Sequence, residues 1–153
     1  MDGVTITELI NNNKLTNLTP GIDTEVIFVK NAEVNRPALQ LTGFFAHFDN
    51  ERVQIMGNVE CAYLETLERA QKVAIYDKLL SYKLPAMVYA AGRKPDEDML
   101  AYCEHYGVPC LTSDRSTTEI MAEIIRWLKA ELAPCISIHG VLVDVFGEGV
   151  LIM

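Results

Sequence analysis

Basic residues are scarce in this sequence: lysine and arginine together number 13, against 21 aspartates and glutamates, so the formal net charge is −8. A chain with this balance has no basic stripe to neutralise nucleic-acid phosphates or to hold an anionic membrane surface. No apolar run approaches the ~20 residues that a membrane-spanning helix needs. The composition therefore argues against nucleic acid and membranes as partners.

Signals for export and for disulfide cross-linking are missing as well. Residues 1–4 carry no basic cluster and no long apolar core, so no signal peptide is predicted. The cysteines lie inside predicted elements rather than in a dense framework: Cys61, Cys103, Cys110 and Cys135. This usage predicts a reduced, cytoplasmic setting.

A metal site is not predicted around Cys103 and His105. Two residues apart on a helix, their side chains diverge by about 200°. No second ligand pair with zinc spacing is present. We expect Cys103 and Cys110 to pack in the core.

The order of the elements predicts an α/β fold. Strand-like apolar runs at 53–56, 86–90 and 108–111 alternate with helical patterns at 58–82, 96–106 and 116–132, the first broken near 67–69. Such alternation implies a parallel sheet with right-handed crossovers. The first third of the chain predicts strands at 4–6, 14–17 and 26–29, a helix at 7–12, and a helix capped by Asn35 that runs to about Phe45.

The helix after Ser116 has the strongest local signals. Ser116-Thr117-Thr118-Glu119 forms a capping box, and Ile120, Ile124 and Leu128 make one apolar stripe. Arg115 beside a helix N-terminus leaves an anion site open as an alternative, although the cap itself accounts for Ser116 and Glu119.

The helix predicted to run to about Phe45 carries Phe44 and Phe45, and Phe48 follows in the loop, so the three form an aromatic cluster. Large aromatic side chains are usually buried, so we expect core packing. A subunit contact surface is the alternative.

The last fifteen residues read as two apolar strands around Gly147-Glu148-Gly149, that is, as a β-hairpin. An apolar strand in this position can precede a phosphate-binding loop of the form G-x-x-x-x-G-K-[ST], which the sequence does not contain. Unpaired strand edges also invite pairing with another copy of the chain.

Several separated blocks resemble one family, the HPr kinase/phosphorylases. They are HGVLVDV at 139–145 with GVLI at 149–152, NRPALQLTG at 35–43, ERVQIMG at 51–57, and LAP at 132–134. The resemblance covers nearly the whole chain. It implies an N-terminal domain followed by the first hairpin of the kinase domain, with the phosphate loop expected directly after Met153.

This resemblance carries expectations for the fold. It implies a small, mostly parallel sheet with flanking helices, like the N-terminal domain of Mur ligases, plus a C-terminal β-hairpin arm. The α/β domain would occupy residues 1–132, and residues 133–153 would form the linker and hairpin. Because the related Mur ligase domain contacts a uridine nucleotide, the fold analogy also keeps a regulatory anion or nucleotide site open.

It also carries expectations for function. The parent enzyme uses ATP or pyrophosphate and Mg²⁺ to phosphorylate a serine of HPr, uses inorganic phosphate to reverse the reaction, and controls carbon catabolite repression. His139 would lie in the active site of the intact enzyme. The resemblance implies a cytoplasmic, homo-oligomeric regulatory or assembly domain that is inactive alone and holds no cofactor or metal. A freestanding small-molecule-sensing or interaction module of the same fold is the alternative.

Overall fold

A computed structural model describes residues 3–133 of the chain. Its strands are β1 Val4–Thr5, β2 Thr16–Asn17, β3 Phe28–Val29, β4 Val34–Asn35, β5 Val53–Met56, β6 Met87–Tyr89 and β7 Cys110–Thr112. Its helices are α1 Ile6–Asn13, α2 Ala38–Leu41, α3 Asn58–Glu65, α4 Arg69–Leu80, α5 Glu97–Tyr106 and α6 Thr117–Glu131, with a short 3-10 turn at Thr24–Val26. The predicted C-terminal hairpin lies outside the described residues.

Five strands form the main sheet, in the order β2-β7-β6-β5-β4. The four strands from β4 to β7 are parallel, and β2 pairs antiparallel with β7 at one edge. Strands β1 and β3 form a separate antiparallel pair. The mostly parallel α/β sheet predicted from the alternation is confirmed.

Each face of the sheet is covered by its own apolar core, because successive strand residues point to opposite faces. On one face, α1 and the apolar stripe of α6 pack against the strand residues Val53, Ile55, Val88 and Leu111. On the other face, α3, α4 and α5 pack against Met56, Met87, Tyr89 and Cys110. Cys103 and Cys110 are fully buried there, as expected.

The segment around Asn35 differs from the prediction. Asn35 does not cap a helix; it lies in β4, where its amide Nδ2 donates to Gln54 Oε1 at 2.6 Å. A proline disfavours helical backbone in the residue before it, so Arg36 stays outside the helix. Helix α2 consequently begins at Ala38 and ends at Leu41, short of Phe45.

The aromatic cluster after α2 is divided between packing and exposure. Phe45 stacks on Tyr82 with ring centroids 5.2 Å apart, and Phe48 meets the same ring edge-on at 5.1 Å. Phe44 instead is 50% exposed. Core packing is therefore right for Phe45 and Phe48 and wrong for Phe44.

Other helix boundaries follow the predicted signals. Gly107 adopts the left-handed conformation (φ 72°) and ends α5, because its N–H can then reach back to the Cys103 carbonyl. The break in the long helical region separates α3 from α4. Within residues 3–133, no helix is long and apolar enough to cross a membrane.

Candidate functional site at the carboxyl edge of the sheet

The loops that follow the parallel strands meet at one edge of the sheet. Residues 36–37 follow β4, Gly57 follows β5, residues 90–96 follow β6 and residues 113–116 follow β7. In open α/β sheets, ligands bind at the carboxyl ends of the strands. Polar side chains from these loops and from the helices after them converge at this edge.

A buried ion pair joins the first two of these loops. Arg36 donates from Nε and Nη2 to the two carboxylate oxygens of Glu60, at 2.8 and 2.7 Å. Glu60 is 1% exposed, and its Oε1 also accepts the Gly57 N–H at 2.9 Å. The hydrogen bonds to Glu60 raise the pKa of Arg36 above its ordinary value. Because both partners are engaged, we assign this pair to holding the edge together.

Gly57 lies in tight contact with the start of α6. A methyl group on its Cα would stand 2.5 Å from Thr117 Oγ1 and 2.8 Å from Arg36 Nη2. Such distances are far below van der Waals contact, so this position requires glycine for close approach.

The cap of α6 forms as predicted. Glu119 N–H donates to Ser116 Oγ, and Ser116 N–H donates to Glu119 Oε1, both at 3.2 Å. Arg115, the cation that would attract an anion there, instead pairs with Glu123 and donates to the Asn13 carbonyl. The geometry gives Arg115 the role of tying the β7–α6 loop to α1.

The β6–α5 loop is held by backbone and side-chain hydrogen bonds. Ala91 and Gly92 both take positive φ angles, of 58° and 72°. Ala91 N–H donates to the Arg115 carbonyl at 2.7 Å. Arg93 donates from Nε to Asn58 and from Nη1 to Glu65, each at 2.9 Å. The loop is therefore anchored to both of its neighbours along the edge.

A cavity of about 160 Å³ opens between this loop, α3 and α4. Its lining combines three cationic, two anionic and two phenolic side chains with a thiol: Cys61, Leu64, Glu65, Lys72, Tyr76, Tyr89, Arg93, Lys94, Pro95 and Asp96. Tyr76 donates its hydroxyl to Asp96 Oδ2 at 2.8 Å, and Lys72 Nζ lies 3.5 Å from the same oxygen. Asp96 Oδ1 also caps α5 through the Met99 N–H.

Tyr89 lines this cavity and is almost fully buried. It is 2% exposed, and within residues 3–133 its hydroxyl makes no hydrogen bond. Burial holds its pKa well above the ordinary value, so the group is a neutral O–H donor. Most buried polar groups have a partner, so an unpartnered hydroxyl on a residue that lines a cavity points to a binding role.

Cys61, in the same wall, does not act as a nucleophile. Burial raises its pKa to about 11, so its thiol stays protonated at neutral pH. The residues 3–133 contain no group of three or more histidine, cysteine, aspartate or glutamate side chains placed to hold a metal ion. The cavity is suited to binding rather than to covalent or metal chemistry.

His139, the site residue implied by the resemblance, lies outside the described residues. The sequence did not predict the cavity, because the lining residues come from four segments of the chain. A strand, for example, separates Lys72 and Tyr76 from Asp96. One signal was available: a tyrosine ends an otherwise apolar buried strand, Met-Val-Tyr.

Fold and site together define a small α/β domain with a polar cavity at the carboxyl edge of its parallel sheet. Comparison with protein families then places it: residues 4–128 match the family described as the HPr serine kinase N terminus, and the chain belongs to that family.

The relatives named HPr kinase/phosphorylase agree with this assignment. The chain is 51% identical to the protein of Lachnoclostridium phytofermentans over 150 residues, which is 98% of this chain and 48% of the relative. It is 36% identical to that of Alkaliphilus metalliredigens over 99% of this chain and 49% of the relative. The chain thus spans about half the length of these relatives and corresponds to their N-terminal domain.

One solved structure shares the fold. The CBS and DRTGG domains of the regulatory region of Clostridium perfringens pyrophosphatase, complexed with the activator diadenosine tetraphosphate, match with a TM-score of 0.54. The match covers 81% of this chain and 47% of that chain at 14% identity. At this identity the likeness concerns the fold alone.

Proposed function

We propose that this chain is the assembly and regulatory domain of a cytoplasmic, bifunctional HPr serine kinase/phosphorylase that controls carbon catabolite repression. The observation that carries the proposal is the family match over residues 4–128 at about half the length of the relatives. In the parent enzyme, ATP and Mg²⁺ serve the phosphorylation of HPr, and His139 belongs to the active site.

The same residues are proposed to be inert by themselves. Phosphoryl transfer depends on a cradle for the phosphates, a metal ion and a base that orients the nucleophile. The printed sequence has no G-x-x-x-x-G-K-[ST] loop. Two arginines at the carboxyl edge are already paired with carboxylates, Arg36 with Glu60 and Arg115 with Glu123.

Activity assays on the purified 153-residue chain test this inertness. Incubated with ATP, Mg²⁺ and HPr, the chain should leave HPr unphosphorylated. Incubated with serine-phosphorylated HPr and inorganic phosphate, it should leave the phosphoserine intact. Phosphate-affinity gels follow both directions, with a full-length relative as the positive control. Phosphorylation of HPr by the chain alone would refute the assignment.

An assembly role is supported by apolar side chains left outside both cores. Leu39 and Phe44, joined by a backbone hydrogen bond from Phe44 N–H to the Leu39 carbonyl at 3.1 Å, are 60% and 50% exposed. Helix α2 packs against α3, whose Val59 is 67% exposed. Exposed apolar side chains on neighbouring elements can form an interaction site, and the occupant proposed here is a second copy of the chain.

Light scattering checks the assembly role. The chain should show concentration-dependent self-association, and Phe44→Ser should shift it toward the monomer because the aromatic contact is lost. Val26→Ser is the matched control, since Val26 is equally apolar and 67% exposed but lies in the 3-10 turn beside α1. A chain that stays monomeric, or an equal effect of both variants, would contradict self-assembly through this surface.

The cavity beside Tyr89 favours a second candidate, a freestanding module that senses a small molecule. The two candidates differ in what the gene encodes after Met153. A downstream phosphate loop supports the kinase domain assignment, whereas a stop codon at that point supports the freestanding module.

A further inference from the structure

The cavity beside Tyr89 is locally positive in a strongly acidic protein. In its lining Lys72 pairs with Asp96 and Arg93 pairs with Glu65, so the excess positive charge is that of Lys94 alone. The whole chain, by contrast, has a net charge of −8. Lys94 makes no ion pair within residues 3–133. An unpaired, positively charged ammonium group beside a cavity can pair with an anionic ligand.

One hydrogen-bond donor of the lining is unpartnered. Within residues 3–133 the Tyr89 hydroxyl has no partner, whereas the Tyr76 hydroxyl donates to Asp96. A ligand that reaches the Tyr89 hydroxyl therefore has to present an oxygen that accepts a hydrogen bond. Satisfying a buried donor removes a desolvation penalty that the empty cavity leaves uncompensated.

The outer side of the cavity limits the charge of the ligand. A wide depression of about 490 Å³ shares Lys72 and Asp96 with the cavity and continues along the start of α5. There, Glu97 and Asp98 follow Asp96 in the first turn, and Asp98 holds Arg69 at 2.9 Å. Glu97 has no ion pair within residues 3–133, so its carboxylate would repel a second phosphate group that extended outward.

We infer that the cavity binds a small phosphate monoester of a few carbons, with the phosphate at Lys94 and an ester or hydroxyl oxygen accepting from Tyr89. The site is selective for one phosphate group over polyphosphates. This inference deepens the regulatory role proposed above. Its biological meaning rests on that role, but ligand binding can be measured on the chain alone.

Nuclear magnetic resonance of the ¹⁵N-labelled 153-residue chain tests the inference, with glycerol 3-phosphate, inorganic phosphate, glycerol and ATP as probes. Glycerol 3-phosphate should give saturable shifts at Cys61, Tyr76, Tyr89 and residues 93–96. Inorganic phosphate should bind more weakly at the same residues, because it lacks the oxygen that reaches Tyr89. Glycerol and ATP should give no saturable shift there.

Two variants separate the contributions. Tyr89→Phe should weaken glycerol 3-phosphate about two- to tenfold, the usual effect of one neutral hydrogen bond, without lowering the melting temperature. Lys94→Ala should weaken both phosphate probes about fivefold to tenfold through the lost charge-assisted contact. Lys129→Ala removes the same charge from the last turn of α6 and should leave both affinities unchanged.

The inference is overturned by the absence of saturable shifts below about 10 mM glycerol 3-phosphate, a limit near the weakest specific affinities. Equal weakening by Lys94→Ala and Lys129→Ala would overturn it too, since the effect would then be general electrostatics. Should Tyr89→Phe fail to fold, the exposed Lys94→Ala still decides the matter. None of these readouts involves kinase activity, so a negative result leaves the proposed role in the parent enzyme standing.

Discussion

Replacing Arg36 by methionine should destabilise the domain by about 3 kcal/mol, the lower end of the cost of breaking a buried ion pair. Methionine keeps most of the side-chain volume but leaves the Glu60 carboxylate buried without its cation. The lower end applies because Arg36 is itself 36% exposed, so water already screens part of the interaction. Urea denaturation at neutral pH measures the loss.

A surface arginine provides the control for this experiment. Arg52 pairs with Asp49 at 3.0 Å and Glu33 at 3.4 Å, but those carboxylates are 37% and 64% exposed. Arg52→Met should cost less than about 1 kcal/mol, as exposed ion pairs do. If Arg36→Met cost no more than Arg52→Met, the pair of Arg36 with Glu60 would not be what holds the edge.

Gly57→Ala should cost about 2 kcal/mol, in the range for overpacking a tightly packed site. The backbone of Gly57 is extended (φ −112°) and open to any residue, so the loss comes from contact alone. The added methyl group would meet Thr117 Oγ1 at 2.5 Å and Arg36 Nη2 at 2.8 Å. The side chain of Thr117 or the guanidinium group of Arg36 therefore has to shift.

A double-mutant cycle with Thr117→Ala separates these two responses. Thr117 contributes two of the three atoms nearest to the added methyl, so the double variant should recover about half of the loss or more. Gly21→Ala is the control, since nothing lies within 4 Å of the position and its change should stay within about 0.5 kcal/mol. Additive effects of Gly57→Ala and Thr117→Ala would contradict the contact.

Elements whose signals are local were predicted well from the sequence. Helix α6 carries its capping box and apolar stripe within one continuous segment, and the structure confirms both. Strand β5 is a compact apolar run, and its predicted bounds match Val53–Met56. The family resemblance, based on separated sequence blocks, is likewise confirmed by the comparisons.

Features that depend on distant partners were not predicted. Asn35 is extended because β4 pairs with β5, whose Gln54 receives its amide hydrogen bond. A lone glutamate on a helix predicts a solvated side chain, yet Glu60 is buried, because Arg36, 24 residues earlier in the chain, meets it. Neither the pairing of β4 with β5 nor that of Arg36 with Glu60 changes the local hydrophobic periodicity, so neither could be predicted from it.

The sequence by itself determined the α/β class, the acidic character, the cap of α6 and the family, since composition, periodicity and short motifs are properties of neighbouring residues. Only the tertiary structure decided that Lys72, Tyr76, Tyr89 and Asp96 share one cavity and that Glu60 is buried. Parallel strands bring the loops after them to a common edge, and the side chains that meet there are set by the register and crossovers of the sheet.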